Sequence, residues 1–155
     1  YEGLLSDEAM VVRSQALENL TKLSLTSSGR AIWKMVFDSR NYVKTQGKFK
    51  RTEIITKVLK SLGDIRYTPL KKTFVKMLNS EKYKDLHLIV DNSLKKMTGI
   101  RSPAGRLKEK RKFWNSQVQA SLQSTLNKGQ AKLNRRRAEM TANRAKPTAD
   151  RVNLR

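Results

Sequence analysis

The chain has no cysteine, a single histidine, three prolines and only 6% aromatic residues among its 155. Without cysteine there is no disulfide framework, no zinc ribbon and no thiolate nucleophile, and cysteine usage carries no information on the compartment. His87 stands alone, so metal clusters of the usual kind lack ligands, and a structural or surface role is the expectation for it. Gly63, Gly99, Gly105 and Gly129 are isolated and none opens a GKS or GKT run, which excludes a phosphate-cradling loop. No apolar run approaches the roughly 18 residues that a membrane span needs.

Acidic residues are also scarce, 13 against 34 Lys and Arg, for a formal charge of +21. The excess is unevenly placed. Residues 1–43 balance five cations with five anions, residues 44–101 carry fifteen against five, and residues 102–155 carry fourteen against three. A length of 155 residues fits one domain of roughly 100 residues with an appendage. The apolar residues thin out toward the C-terminus, so the core belongs to the early part. The first residue is Tyr, and Glu2, Asp7 and Glu8 do not fit an Arg-rich presequence.

Up to Ile100 the apolar residues recur at helical spacing, which predicts an all-α body. A first helix opens after Ser6 and runs to about Leu23, with Asp7 and Glu8 in its first turn, and a second runs from about Arg30 to Val43. The third spans about Lys50 to Leu62, with Gly63 as its left-handed C-terminal residue. Thr68-Pro69 starts the fourth, Asp85 caps a fifth that closes at Gly99, and Ser102-Pro103 starts a sixth reaching about Leu126. Trp33, Phe37, Phe74 and Tyr83 sit with aliphatic residues at helical spacing and read as core. After Gly129, Arg and Lys dominate with few large apolar residues, which predicts a tail that is extended and disordered unless bound.

The stripes of the first, third and fifth helices superpose. Val12, Ile54 and Ile89 align, as do Leu17, Leu59 and Leu94, and then Leu20, Leu62 and Met97, at offsets of 42 (12 to 54) and 35 (54 to 89). Such periods mark helical pairs that bury their stripes only against stacked neighbours. Residues 51–99 are more specific: Leu62, Gly63, Asp64 and Arg66, then Pro69-Leu70, then Asp85, Leu94, Met97, Thr98 and Gly99. This wording resembles HEAT repeats of the short bacterial type, over roughly residues 6–101. Val12, Arg13, Ala16 and Leu17 suit an earlier inner helix, whereas residues 29–50 match poorly. The resemblance implies a short α-solenoid (1–101) that binds macromolecules and carries no catalytic residues. It is followed by a basic amphipathic helix (102–128) and a basic tail (129–155). It also implies that Asp64 and Arg66 serve the turn between stacked helices, and that Trp114 packs as a capping anchor.

Asp85 and Asp91 read as a helix cap and a turn-facing or exposed residue. The alternative for Phe113-Trp114, set among Arg106, Lys108, Lys110, Arg111 and Lys112, is stacking on bases. The remaining candidates for phosphate contact are Lys48, Lys50, Arg51, Lys57, Lys71 and Lys72 in the body, and Arg135, Arg136, Arg137, Arg144, Lys146 and Arg151 in the tail. A charge this one-sided costs self-repulsion unless a polyanion neutralises it. The expectation is a non-enzymatic adaptor, without cofactor or metal. It would dock on RNA, ribosomal in kind, beside neighbouring proteins, in a cytoplasmic or mitochondrial setting. The rival is a protein-binding scaffold whose tail wraps an acidic partner. A DNA glycosylase would need a catalytic acid beside aromatics, for which no residue presents itself, and a membrane-surface role ranks last because the apolar face of 103–126 is thin.

Overall fold

The computed structural model describes residues 1–146. It is all-α apart from one hairpin: a 3-10 turn Glu2–Ser6, α1 (Met10–Lys22), α2 (Gly29–Lys34), β1 (Tyr42–Thr45), β2 (Lys48–Arg51), α3 (Glu53–Asp64), α4 (Lys71–Asn79), α5 (His87–Thr98) and α6 (Leu107–Ala145). Two compact units result, Tyr1–Asn115 and the residues from Ser116 onward, so the first turns of α6 belong to the first unit.

In the first unit α3 is central, packing against α1, α2 and α5, while α4 packs against α5. Ile54, Ile55, Val58, Leu59 and Leu62 are all buried, the stripe that the 3.6-residue period puts on one side of α3. The aligned triplet Leu17, Leu59 and Leu94 lies wholly inside, each side chain worth about 2 kcal/mol of burial. Leu20, Leu62 and Met97 are buried beside them, and Val12 and Ile89 are half-buried. Each aligned set thus faces inward from α1, α3 and α5.

Arg13 of α1 is 1% exposed and has no ion-pair partner among the described residues. Its Nη1 donates to the carbonyls of Asp7 (2.7 Å) and Glu8 (2.8 Å), Nη2 to that of Arg40 (3.1 Å), and Nε to Asn41 Oδ1 (3.0 Å). A guanidinium has five N–H groups, and here it is satisfied by four acceptors that tie the start of α1 to the turn at 39–41.

Several boundaries differ from the sequence reading. The second helix stops at Lys34. Asp38 Oδ1 accepts the Arg40 N–H, Asn41 Nδ2 donates to Met35 O, and the chain leaves through two 3-10 turns. A hairpin follows, with Tyr42 opposite Arg51 and Lys44 opposite Phe49. Gln46 and Gly47 both have positive φ (51° and 75°), the two-residue turn whose twist suits a hairpin. Phe37, expected in the core, is 72% exposed and meets the half-buried Trp33 edge-on, with centroids 5.5 Å apart.

Gly63 is not the left-handed terminus of α3. It lies inside the helix, and Arg66 takes the positive φ, 54°. A Cβ on Gly63 would stand 2.8 Å from Ser93 Cα, so this glycine lets α3 and α5 approach. Gly99 does close α5 in the left-handed region (φ 71°), as expected. Asp85 does not cap α5, which starts at His87; its carboxylate is held by Arg51 instead.

Residues 129–145 are helical where an extended tail was expected, and α6 runs 39 residues rather than about twenty. Charge and sparse apolar content suggested disorder, but the local residues are strong helix formers: Gln130, Ala131, Lys132, Leu133, Arg135 to Arg137, Ala138, Glu139 and Met140. Pairs four apart reinforce them, Gln123 with Asn127 (2.9 Å), Gln130 with Asn134 (2.9 Å) and Arg135 with Glu139 (3.1 Å). The helix ends at Ala145, two residues before Pro147, because proline disfavours helical backbone in the residue preceding it.

Candidate nucleic-acid interface

The basic residues divide into those spent on the fold and those left to solvent. Asp91, expected to face a turn or solvent, is 1% exposed beneath the start of α6. Its Oδ1 accepts the Trp114 indole N–H and the Ser102 hydroxyl, each at 2.8 Å, and its Oδ2 pairs with Lys95 (3.1 Å) and Lys110 (3.3 Å). Burial pushes this carboxyl up, but the hydrogen bonds from Trp114, Ser102 and Lys95 and the charge of Lys110 outweigh it and hold it below the ordinary range. Arg111 Nε donates to Leu78 O (2.7 Å) and Nη2 to Glu81 (2.7 Å). That hydrogen bond, with the Arg111 charge, also lowers the Glu81 carboxyl.

Lys110, Arg111 and Trp114 therefore anchor α6. Trp114 is fully buried, with half-buried Phe113 edge-on at 5.0 Å, so this pair packs and offers no stacking face from Trp114. Arg106 and Lys108 are exposed and have no ion pair among the described residues, and Lys112 is also exposed. His87 is buried, its Nε2 at 2.8 Å from Ser80 O.

The hairpin forms a second cationic region. Lys44, Lys48 and Lys50 are exposed, without an ion pair among the described residues, and Phe49 between the last two is 67% exposed. Arg51 turns inward: Nη1 meets Asp85 at 3.0 Å, Nη2 donates to Lys82 O at 2.7 Å, and the guanidinium lies 5.0 Å from the Tyr83 ring centre. Elsewhere Lys57 is held by Ser14 (3.1 Å) and Glu18 (3.4 Å). On α4, Lys72 is exposed and Lys71 half-buried, with no carboxylate partner among the described residues. Lys60 lines a groove of about 440 Å³ between α3 and α5 together with Lys95 and Lys96, two residues that the sequence did not single out. Asp64 and Asp91 compensate two of the three. Only the packing of α3 on α5 brings these lysines together; no local motif does.

The second unit offers the least compensated surface. Among its described residues, Lys128, Lys132, Arg135, Arg136, Arg137, Arg144 and Lys146 face one acid, Glu139, which pairs with Arg135. At the helical pitch, the six of these cations that lie within α6 fall inside an arc of about 200° and flank a narrow stripe of Val118, Leu122, Leu126, Leu133 and Met140, about 80° wide, while Lys146 follows the helix end. The remaining arc of about 160° carries Ser, Thr, Gln, Asn and Ala and no charge. Leu126 and Met140 are more than 60% exposed. Arg151 lies outside the described residues.

Among the described residues, no three His, Cys, Asp or Glu side chains gather as a metal site, and no helix is long and apolar enough to cross a membrane. Comparisons with known protein families, with curated proteins and with solved structures return no match.

Proposed function

We propose that the protein is a non-enzymatic adaptor that docks on structured RNA within a ribonucleoprotein, ribosome-like in kind, through a HEAT-like α-solenoid and its basic C-terminal extension. The observation that carries this reading is the one-sided charge of α6 beyond Ser116, six cations against one anion within an arc of about 200°. Such a surface repels itself until phosphates neutralise it, and arginine forks suit phosphate bidentately. Lys48, Lys50, Lys71, Lys72, Arg106 and Lys108 supply further phosphate contacts from the first unit. The near-neutral residues 1–43 suit a protein neighbour.

Deleting residues 130–155 tests the reading. RNA affinity should fall about tenfold or more at low salt, because most of the unopposed cations are lost, while the first unit keeps its thermal transition. Unchanged affinity contradicts it. One observation favours a second reading, a protein scaffold: the exposed stripe Leu122, Leu126, Leu133 and Met140 is what an apolar protein groove covers. Excess structured RNA that fails to displace a bound protein at low salt favours the scaffold.

A further inference from the structure

With Trp114 buried, the aromatic ring that stands free among cations is Phe49. It sits on β2 between Lys48 and Lys50, opposite Lys44 across the hairpin, and shares a face with Tyr42 and Arg51, since alternate strand residues face the same way. An exposed phenyl ring on a two-stranded hairpin contributes nothing to a core, and aromatic residues favour strands where they pack. Phe37 is as exposed, but it already meets Trp33 edge-on and precedes an acid, Asp38.

Beside Phe49 opens a cleft of about 560 Å³, lined by Tyr42, Phe49, Lys50, Arg51, Lys82 and Asp85. Its floor is braced: the Tyr42 hydroxyl donates to Val36 O at 2.5 Å, and Arg51 is fixed between Asp85 and the Tyr83 ring. The one carboxylate in the lining, Asp85, is already neutralised by Arg51, so the net charge of the rim comes from Lys50 and Lys82. Rigid aromatic and cationic walls of this kind accept an aromatic ring that carries negative charge on either side.

We propose that this cleft takes one unstacked base of single-stranded RNA, stacked on Phe49, with Lys50 and Lys82 of the cleft lining and Lys44, which shares the face of Phe49, meeting the flanking phosphates. The proposal rests on the RNA-binding reading above and adds to it a preference for unpaired nucleotides, since bases inside a duplex present no free face.

The test uses the full chain, a fluorescein-labelled oligouridylate of about 12 nucleotides and a blunt RNA duplex of equal phosphate count. Phe49→Ala should weaken oligouridylate binding about fivefold or more, while duplex affinity, salt slope and helical circular dichroism stay those of the wild type. Phe49→Trp should restore affinity, with indole fluorescence quenched by the oligouridylate beyond that of the wild type. Oligouridylate binding by Phe49→Ala equal to wild type overturns the base site and leaves the RNA reading standing. Equal losses on single strand and duplex overturn it too, because the ring is then not stacking on a base. A wild type that binds neither RNA overturns the broader reading and the base site with it.

Discussion

The indole N–H of Trp114 donates to Oδ1 of Asp91 at 2.8 Å, with both side chains buried. This bond joins the first turns of α6 to α5, and Ser102, Lys95 and Lys110 complete the carboxylate's partners. Trp114→Phe keeps most of the packing but strips one donor from a buried anion, so urea denaturation should show a loss of about 1–3 kcal/mol. Asp91→Asn should cost about 2–3 kcal/mol, since it strands two ammonium groups as well as changing the acceptor. A loss under 0.5 kcal/mol for both variants would show that the junction does not hold α6, and RNA affinity of the folded Trp114→Phe protein should match the wild type.

The same carboxylate sets an acid limit. Asp91 titrates below its ordinary range in the folded state, so its stabilising contribution is complete above the unfolded pKa of about 4 and is lost as pH falls through the lower folded value. Thermal melts of the wild type should drop below about pH 4, and Asp91→Asn should flatten that part of the profile. An unchanged slope in the variant would contradict the assignment.

Gly63 tests how closely α3 and α5 meet. Gly63→Ala puts a methyl group 2.8 Å from backbone Ser93 Cα, where no flexible side chain can give way. A destabilisation of about 1–3 kcal/mol is expected, although alanine has the higher helix propensity and the substitution would otherwise stabilise an interior helical position. Stabilisation in a chemical melt would mean that the two helices stand further apart.

Arg13 holds four acceptors without a charged partner, a geometry lysine cannot copy. Arg13→Lys should lose about 2–3 kcal/mol in urea denaturation and loosen the turn at 39–41, seen as faster amide exchange at Asn41. A neutral effect would show that water can replace the guanidinium there.

The three apolar stripes were legible because burial enforces periodicity: Leu17, Leu59 and Leu94 align in sequence and lie together inside. Gly99 was legible because a left-handed terminus is a local property. The hairpin was hidden because Gln46-Gly47 is a weak form of the turn signal, and because Trp33 and Phe37 prolong an apparently helical pattern into it. Asp91 read as turn-facing or exposed because its partners include 102, 110 and 114, a tertiary fact that no window around Asp91 contains. The cations divided along the same line. Lys110 and Arg111 resemble Arg106 and Lys108 in sequence, and only the packing of α6 on α5 and α4 tells anchor from open surface.

The central claim is that unopposed cations on α6 meet RNA phosphates, and the salt dependence of RNA affinity tests it most directly. The logarithm of affinity of the wild type for a structured RNA should fall linearly with the logarithm of salt, and Arg136→Gln, Arg137→Gln and Arg144→Gln combined should lower that slope by about two units. A salt-independent affinity, or a triple variant with the wild-type slope and affinity, contradicts the account.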